Sequence, residues 1–347
     1  MSARLPDPRV TPPDAVPALR WGIVGTSIAD RFVDAIHRHT TQRAVAVTAR
    51  DEERTADFAR RHGIAAVRPS LDALLDDPEI DIVYISTPHV LHREQALAAI
   101  AAGKHVLIEK PIAMSAAEAR DITDAAVAAG RFATEAMWTR YLPQTGIIRR
   151  VVADGMLGDI RLVAADFGFS IPVMPEHRLW DPALGGGALL DAGVYPISFA
   201  SSVLGAPTRV TAVGELGPTG VDQRADLMLE HADGATALLS TSIVTALPTR
   251  ALIAGSAGRL EVRPPFFGPT GLTLTMTSSS NEPVEWTDES GFAALSEGLA
   301  FQATEVAGYI GEGRGESPLH PHAEIVSVLA TIDSAREQVA GRARDAG

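Results

Sequence analysis

The fold is decided by residues 20–30, RWGIVGTSIAD, where an apolar run meets a glycine turn and then a helical pattern. The run RWGIVG is typical of a buried strand, and the segment ADRFVDAIHRH, which begins at Ala29, has the apolar spacing of a helix. A strand, a glycine turn and a helix in this order predict the first unit of an α/β domain.

The same order recurs as far as about Phe132. Short apolar runs predict strands at RAVAVTA, DIVYIS and HVLIEK, and the stretches between them predict helices at ERTADFARRHG, HREQALAAIAAG and SAAEARDITDAAVAAG. Apolar strands that alternate with helices indicate a parallel sheet covered on both faces. Because crossovers between parallel strands are right-handed, we expect a doubly wound, Rossmann-type domain.

The pattern changes after Pro143. GIIRRVVADGM and GGALLDAGVYPISFASSVLG are predicted to be helical, and DIRLVAADFGFSI is predicted to be a strand. Residues 208–263 then contain further strand patterns separated by the turns GPTG, ADG and SAG, which is typical of an antiparallel sheet. We therefore expect an α+β second domain and a closing helix over 323–339 that packs back onto the body.

Composition excludes several classes of protein. With 46% hydrophobic and 21% charged residues, the chain is neither disordered, nor collagen, nor a coiled coil. Its formal net charge of −13 argues against nucleic acid as a partner. It has no cysteine, so a disulfide, a thiolate nucleophile and a cysteine metal site are excluded.

The glycine turn lies where a dinucleotide fold places its pyrophosphate loop, at the first junction of strand and helix. Gly25 fits this loop, but Ser27 stands where a second glycine is expected, and the spacing to Ala29 is one residue short. The alternative is a plain turn. The predicted cofactor loop consists of Gly25, Thr26, Ser27, Ile28 and Ala29.

The residue at the end of the second predicted strand indicates which cofactor is preferred. An NAD enzyme offers a carboxylate to the ribose at this point, whereas this chain has Arg50. Arginine suits a 2′-phosphate, so we predict NADP, with NAD possible. The alternative is a solvated surface arginine at a helix start.

These patterns divide the chain into four segments. We predict a flexible tail at 1–18, a dinucleotide-binding domain at 19–141, a substrate and dimerisation domain at 142–320, and a C-terminal helix at 321–347. The tail lacks the apolar run of a secretory signal. No uncharged apolar stretch reaches about 18 residues, so we predict a cytoplasmic protein without a membrane span.

Lysine is scarce: 28 of the 30 basic residues are arginine. Lys104 follows a glycine helix stop and is predicted to be a surface residue. Lys110 ends the strand HVLIEK at the ligand-binding edge of the sheet, where an amine can exchange a proton and a guanidinium cannot. The alternative is a strand-end lysine that extends into water.

The second half contains one candidate reactive pair. In GGGALLDAGVY, Asp191 and Tyr195 are four residues apart on a predicted helix, so both lie on one face. A structural hydrogen-bonding pair is the alternative. The glycines at 185–187 either let the backbone approach a ligand or form a flexible helix start.

The chain resembles the Gfo/Idh/MocA oxidoreductase family from Arg20 onward. The motifs that carry the resemblance are GIVGTSIA, STPHVLH, AGKHVLIEKP, EAMWTRYLP, GGGALLDAGVY and ESPLHPHAE. Many members have histidine at the position of Tyr195. Tyrosine there, with MWTRY, is similar to the branch that contains dimeric dihydrodiol dehydrogenase, NADP-dependent D-xylose dehydrogenase and glucose-fructose oxidoreductase. The shortened glycine loop departs from the family pattern.

The resemblance implies roles for individual residues. Lys110 and Tyr195 would be the acid/base pair, Asp191 would bind or orient the substrate, and Pro111 would follow a cis bond. The nicotinamide and the rest of the cofactor site would be bordered by Thr87, Pro88, His89, His92, Glu109, Lys110, Trp138 and Arg140.

We expect no metal site. The histidines of STPHVLH are interpreted as polar groups at a helix start, and those of HPHAE (320–324) as part of a helix-starting turn. Trp138 either packs the domain junction or contacts substrate.

The predicted activity is hydride transfer between nicotinamide and a hydroxyl or carbonyl carbon of a sugar, polyol or cyclic trans-diol. The alternatives are an NAD-dependent glycosidase of the same fold and a catalytically idle NADP(H)-binding regulatory protein. A small-molecule substrate is the expected partner. An antiparallel sheet with one uncovered face predicts a homodimer, or a dimer of dimers, through the C-terminal sheet.

Overall fold

The structure is a computed structural model that describes residues 4–277 and 282–345. The strands are β1 (Arg20–Val24), β2 (Arg43–Thr48), β3 (Ala66–Val67), β4 (Ile82–Ile85), β5 (His105–Ile108), β6 (Ala133–Glu135), β7 (Ile160–Gly168), β8 (Arg209–Leu216), β9 (Asp222–Glu230), β10 (Thr236–Ser242), β11 (Ala251–Gly255), β12 (Gly258–Val262), β13 (Gly271–Met276) and β14 (Val284–Thr287). The helices are α1 (Ala29–His39), α2 (Glu52–His62), α3 (Leu71–Leu75), α4 (His92–Ala101), α5 (Ala116–Ala129), α6 (Pro143–Ala153), α7 (Val194–Leu204), α8 (Leu299–Gly311) and α9 (His322–Asp345).

The chain forms two compact units. The parallel-sheet unit comprises Val10–Tyr141 and Phe292–Val326. The antiparallel-sheet unit comprises Met1–Arg9, Leu142–Gly291 and Ser327–Gly347. These units assign the chain ends differently from the predicted segments: Leu5 is buried within the second unit, and Thr11 of the first donates its hydroxyl to Glu305 at 2.5 Å.

The parallel-sheet unit is a doubly wound domain, as predicted. Its strand order is β3-β2-β1-β4-β5-β6, and every neighbouring pair is parallel. All four residues of β4 are buried, as expected for a strand covered on both faces. Helix α1 buries Phe32, Val33 and Ile36, which lie on one side of the helix at the predicted spacing. Helix α2 begins at Asp51, whose side chain accepts the N–H of Arg54.

The antiparallel-sheet unit confirms the α+β prediction. Its eight strands have the order β14-β13-β12-β11-β7-β10-β9-β8, and only β7 and β10 are parallel neighbours. Helix α7 packs on β7 and β10 and covers one face of the sheet. The side chains of Val213, Met228 and Leu238 remain exposed on β8, β9 and β10. Met228 and Leu238 are direct cross-strand partners.

Several elements were not predicted. Strands β13 and β14 follow the irregular segment PPFFGP, β6 has only three residues, and α8 lies before the closing helix. The segment Pro182–Leu204 is apolar and long enough to cross a membrane, but 72% of its most apolar window is buried. This burial is typical of the core helix of a globular unit.

Candidate active site

A cleft of about 730 Å³ lies at the carboxyl ends of β1, β2 and β4 in the parallel-sheet unit. Because β1 lies between β2 and β4, the chain changes direction across the sheet here, which is where open α/β sheets bind ligands. Six of the predicted cofactor-binding residues line this cleft: Gly25, Thr26, Ser27, Arg50, Thr87 and Pro88. Sequence reasoning missed other lining residues, among them Arg54, Ser70 and Gln95.

Gly25 provides the close approach that a nucleotide needs. Its φ of 94° lies in the left-handed region, and a Cβ at this position would lie 2.9 Å from the carbonyl oxygen of Ser86. Its N–H donates to the carbonyl of Thr48 at 2.9 Å, which ties the turn to β2. Only glycine fits this geometry without strain. The turn precedes α1, whose N-terminal amides can bind an anion, so the residues present fit a dinucleotide pyrophosphate.

The end of β2 presents cations to the cleft. Arg50 is exposed and lines it together with Arg54 of the first turn of α2. The neighbouring carboxylate of Asp51 accepts the N–H of Arg54 at 3.0 Å and so caps α2. Asp51 also lines the cleft, so the end of β2 brings both arginine and a carboxylate to it.

The other predicted cofactor residues lie outside the lining of this cleft. Ile28 is exposed at the start of α1, and Ala29 is fully buried in it. His89 is buried in a short 3₁₀ turn before α4. His92 is fully buried, and its ring nitrogens lie 2.9 Å from the carbonyl oxygen of Pro111 and 2.8 Å from that of Thr87. The ring of His92 therefore links the turn after β4 to the turn after β5. It does not act as the helix cap that the sequence indicated.

Lys110 follows β5 and is half-buried, with a cis bond to Pro111. The buried carboxylate of Glu109 accepts the N–H of Lys110 at 3.1 Å and also accepts the hydroxyl of Tyr84. Burial raises the pKa of Glu109, while the hydrogen bond from Tyr84 and the charge of Lys110 oppose the rise. The resemblance placed Glu109 at the nicotinamide; the structure shows that its carboxylate serves the turn of Lys110.

Trp138 and Arg140 lie in the 3₁₀ helix Trp138–Tyr141, and both are buried. A guanidinium nitrogen of Arg140 lies 2.7 Å from a carboxylate oxygen of Glu324. Burial would raise the pKa of Glu324, but the imidazole of His320, whose Nδ1 lies 3.9 Å from the carboxylate, and the charge of Arg140 hold this pKa at about 2. Arg140 thus pairs with a carboxylate of its own unit.

Asp191 and Tyr195 belong to the antiparallel-sheet unit. Asp191 lies in a π-helical turn, Leu189–Gly193, that leads into α7, where the sequence predicted a regular helix. π-helical turns occur frequently at functional sites. The carboxylate of Asp191 is nine-tenths buried and accepts a hydrogen bond from Arg178 at 3.0 Å. The half-exposed Arg178 was not predicted.

An aromatic cluster surrounds the half-buried ring of Tyr195. The rings of Phe167 and Phe267 lie 5.4 and 5.5 Å from it, centroid to centroid. Phe169 contacts Phe167 edge-on at 5.9 Å. The ring of Tyr195 therefore packs against aromatic side chains of its own unit.

The glycine run before the π-helical turn allows close packing within the unit. A Cβ on Gly186 would lie 2.6 Å from the carbonyl oxygen of Leu179, and one on Gly187 would collide with the carboxylate of Asp222. That carboxylate accepts the N–H of Leu189 at 2.6 Å. The glycines thus let the chain approach Asp222, which caps the start of the helical segment that carries Asp191.

One prediction about a polar residue was wrong. Lys104 is buried, and its ammonium donates to the carbonyl oxygens of Asp77 and Ile80 at 2.7 and 3.0 Å. The two carbonyls belong to the turn before β4, and nothing in the local sequence indicates that this turn lies beside a residue that follows α4. Among the described residues, no group of three or more acidic or histidine side chains is arranged to hold a metal ion.

Two family models match the chain. The model "Oxidoreductase family, NAD-binding Rossmann fold" matches residues 19–136, and the model "GFO/IDH/MocA C-terminal domain" matches residues 147–261. Together they cover most of both units. The second match ends within the antiparallel sheet, after β11 and most of β12.

Full-length relatives are also found. The trans-1,2-dihydrobenzene-1,2-diol dehydrogenases of Mus musculus and Xenopus laevis are 33% and 34% identical, over 93% of this chain and 97% and 98% of theirs. A 3-ketoreductase from Actinomadura kijaniata, solved with NADP and TDP-benzene, is 26% identical with a TM-score of 0.80, covering 93% of this chain and 98% of that one. A levoglucosan dehydrogenase solved with NADH and levoglucosan shares the fold at a TM-score of 0.84 and 21% identity, covering 94% and 98%.

Proposed function

Because the chain belongs to the Gfo/Idh/MocA oxidoreductase family, we propose that it is an NADP-preferring dehydrogenase that acts on a cyclic trans-diol, a sugar or a polyol. The proposal of NADP as cofactor is supported by the cleft at the ends of β1, β2 and β4, which contains the glycine turn and two arginines. The relatives named as dihydrodiol dehydrogenases support the substrate class.

Nicotinamide, when bound, accepts or gives the hydride. The proton of the substrate hydroxyl must then be handled by the chain itself. We assign this exchange to Tyr195, and we assign a supporting role in the proton exchange to the amine of Lys110. Asp191 orients the substrate hydroxyl by accepting a hydrogen bond, and the ion pair with Arg178 holds its carboxylate in place.

Turnover by two variants tests these roles. Tyr195→Phe removes only the hydroxyl, and Lys110→Met removes only the amine at similar chain length. Each should lower kcat at least about 10²-fold, which is the usual contribution of a positioned acid or base. If both variants keep the wild-type rate with diols and sugars, the assignment fails.

Alanine variants of Arg50 and Arg54 test the predicted preference for NADP over NAD. A 2′-phosphate gains charge-assisted hydrogen bonds from guanidinium groups, whereas the ribose hydroxyl of NAD gains little from them. Arg50→Ala and Arg54→Ala should each lower the NADP/NAD ratio of kcat/KM by about tenfold or more, equivalent to ~1.4 kcal/mol. Arg60→Ala, an exposed arginine on the same helix that pairs with Asp57, is the matched control. An unchanged ratio in both cleft variants would contradict NADP preference.

A substrate panel identifies the reaction. Net NADPH formation with trans-dihydrodiols, aldoses or inositols supports the proposal. Release of an aglycone without net change of cofactor would mean a glycosidase instead. Tight NADPH binding without turnover over the whole panel would mean a regulatory protein.

We also propose a dimer through the uncovered face of the antiparallel sheet. The exposed side chains of Met228 and Leu238 lie side by side on that face, with Val213 on the edge strand β8. Apolar groups placed together on a sheet face are typical of a buried interface. Met228→Glu should lower the mass measured by sedimentation to that of one chain. Val127→Glu, at an exposed apolar residue of the other unit, should leave it unchanged.

A further inference from the structure

The turn of Lys110 is held by side chains that the proposed function does not use. Three of its backbone polar groups have buried partners: Glu109 accepts the N–H of Lys110, and a ring nitrogen of His92 meets the carbonyl of Pro111. The third partner is Glu135, whose Oε1 accepts the N–H of Ile112 at 2.9 Å. The backbone on both sides of Lys110 is therefore fixed from inside the unit.

Glu135 is itself held in one orientation. It lies at the end of β6 and has no exposed surface. Its Oε2 lies 2.7 Å from Nε2 of His320, which is also fully buried. The two side chains therefore form a hydrogen bond with each other. The two oxygens of one carboxylate thus join the Lys110 turn to His320, which lies 185 positions after Glu135 in the chain.

The segment of His320 is anchored independently of Glu135. Ser317 is fully buried, and its hydroxyl oxygen accepts the hydroxyl of Tyr141 at 3.0 Å. The N–H of His320 donates to the carbonyl of Ser317 at 3.2 Å. His320 is therefore a fixed support for Glu135.

An apolar pair of similar volume would cost less to bury than these ionisable groups. Their arrangement has one clear consequence, because both oxygens of Glu135 are engaged and one of them binds the backbone two residues after Lys110. We propose that Glu135 and His320 are positioning residues that fix the turn of Lys110, and hence the place of its amine. This inference rests on the proposed role of Lys110 for its effect on rate, but its structural part can be measured without turnover.

Because the chain has only two lysines, NMR of lysine-labelled protein can detect a displacement of the Lys110 turn. Labelling with ¹⁵N-lysine gives backbone amide signals for two residues only, Lys104 and Lys110. Glu135→Ala and His320→Ala should both move the Lys110 signal and leave the Lys104 signal in place. Glu135→Gln should restore most of the wild-type position, since its amide oxygen can still accept the N–H of Ile112.

The fall in kcat should parallel the change in the backbone amide signal of Lys110. In Glu135→Ala, kcat should fall by up to about 10²-fold, the cost of a displacement near 1 Å at a reacting group. The dissociation constant of NADPH, measured by its fluorescence, should stay at the wild-type value. If His320 acts through Glu135, the double alanine variant should lose no more rate than Glu135→Ala alone. Glu297→Gln, at a buried carboxylate that caps another turn of the unit, is the matched control and should keep its kcat.

The possible outcomes separate the two proposals. An unmoved Lys110 signal in Glu135→Ala, or additive losses in the double variant, overturns the positioning role. A moved signal with an unchanged rate supports the positioning role and contradicts the proposed role of Lys110. If Glu135→Ala does not fold, Glu135→Leu and His320→Gln allow the same comparison, because each removes one side of the Glu135–His320 hydrogen bond.

Discussion

Replacing Asp222 by asparagine should remove a pH dependence of stability that the fold contains. The carboxylate of Asp222 is buried at the start of the helical segment that carries Asp191 and Tyr195, and it accepts the N–H of Leu189. Burial raises the pKa of Asp222 from 3.8 to about 6, although the hydrogen bond from Leu189 and the charge of Arg336 act in the opposite direction.

The sign follows from proton binding. Between these two pKa values the folded chain binds the proton more tightly than the unfolded chain, so the free energy of unfolding falls as the pH rises. The stabilisation is complete below the unfolded pKa of 3.8 and is lost as the pH rises through about 6. The full change is equivalent to about 3 kcal/mol, and about 1.4 kcal/mol of it falls between about pH 5 and about pH 7.5.

Urea unfolding of the wild type and Asp222→Asn at these two pH values measures the change. Asparagine does not titrate, but its oxygen can still accept the N–H of Leu189. The difference in unfolding free energy should therefore shift in favour of the variant by about 1.4 kcal/mol from the lower to the higher pH. Subtracting one unfolding free energy from the other cancels the contributions of the other titrating groups. A constant difference would refute the reasoning.

Three further predictions concern other sites. Lys104→Met removes the ammonium that donates to the carbonyls of Asp77 and Ile80, so the unfolding free energy should fall by about 1–3 kcal/mol in denaturant titrations while kcat is unchanged. Lys110→Arg keeps the charge but cannot release a proton, and steady-state assays should show that most of the activity is lost. Gly25→Ala forces a side chain into a left-handed backbone and against a carbonyl, so the dissociation constant of NADPH should rise by about tenfold or more in fluorescence titrations.

The parallel sheet could be predicted because its information is local. Each strand is a short apolar run, each helix has its own apolar spacing, and the right-handed crossover rule supplies the rest. Lys110 could be placed at the carboxyl edge of the parallel sheet because it comes directly after the strand HVLI. The π-helical turn at Asp191 could not be predicted, because a five-residue change in winding leaves the apolar spacing of GGALLDAGVY nearly unaltered.

Contacts between segments that are distant in the sequence could not be predicted either. Glu135 is one residue in the short strand β6, and His320 lies in a turn that the sequence explains as a helix start. Nothing in either neighbourhood indicates the other. Only the residue types indicated that these two side chains need polar partners. Glu135 lies within the apolar run FATEAM and His320 lies between prolines, and a carboxylate or an imidazole needs a hydrogen-bond partner if it is buried.

Several buried polar side chains in the described part of the chain form hydrogen bonds to backbone groups. Lys104 binds two carbonyls, His92 meets two more, Asp222 caps a helical segment, and Glu135 holds an N–H beside Lys110. These backbone groups lie in turns or beside the ends of strands and helices, where the regular hydrogen-bond pattern of secondary structure stops. A polar residue at such a place therefore predicts a support for the turn before it predicts a contact with substrate. By the same reasoning, residues that act on a ligand should be sought beside these supports, as Lys110 and Asp191 are.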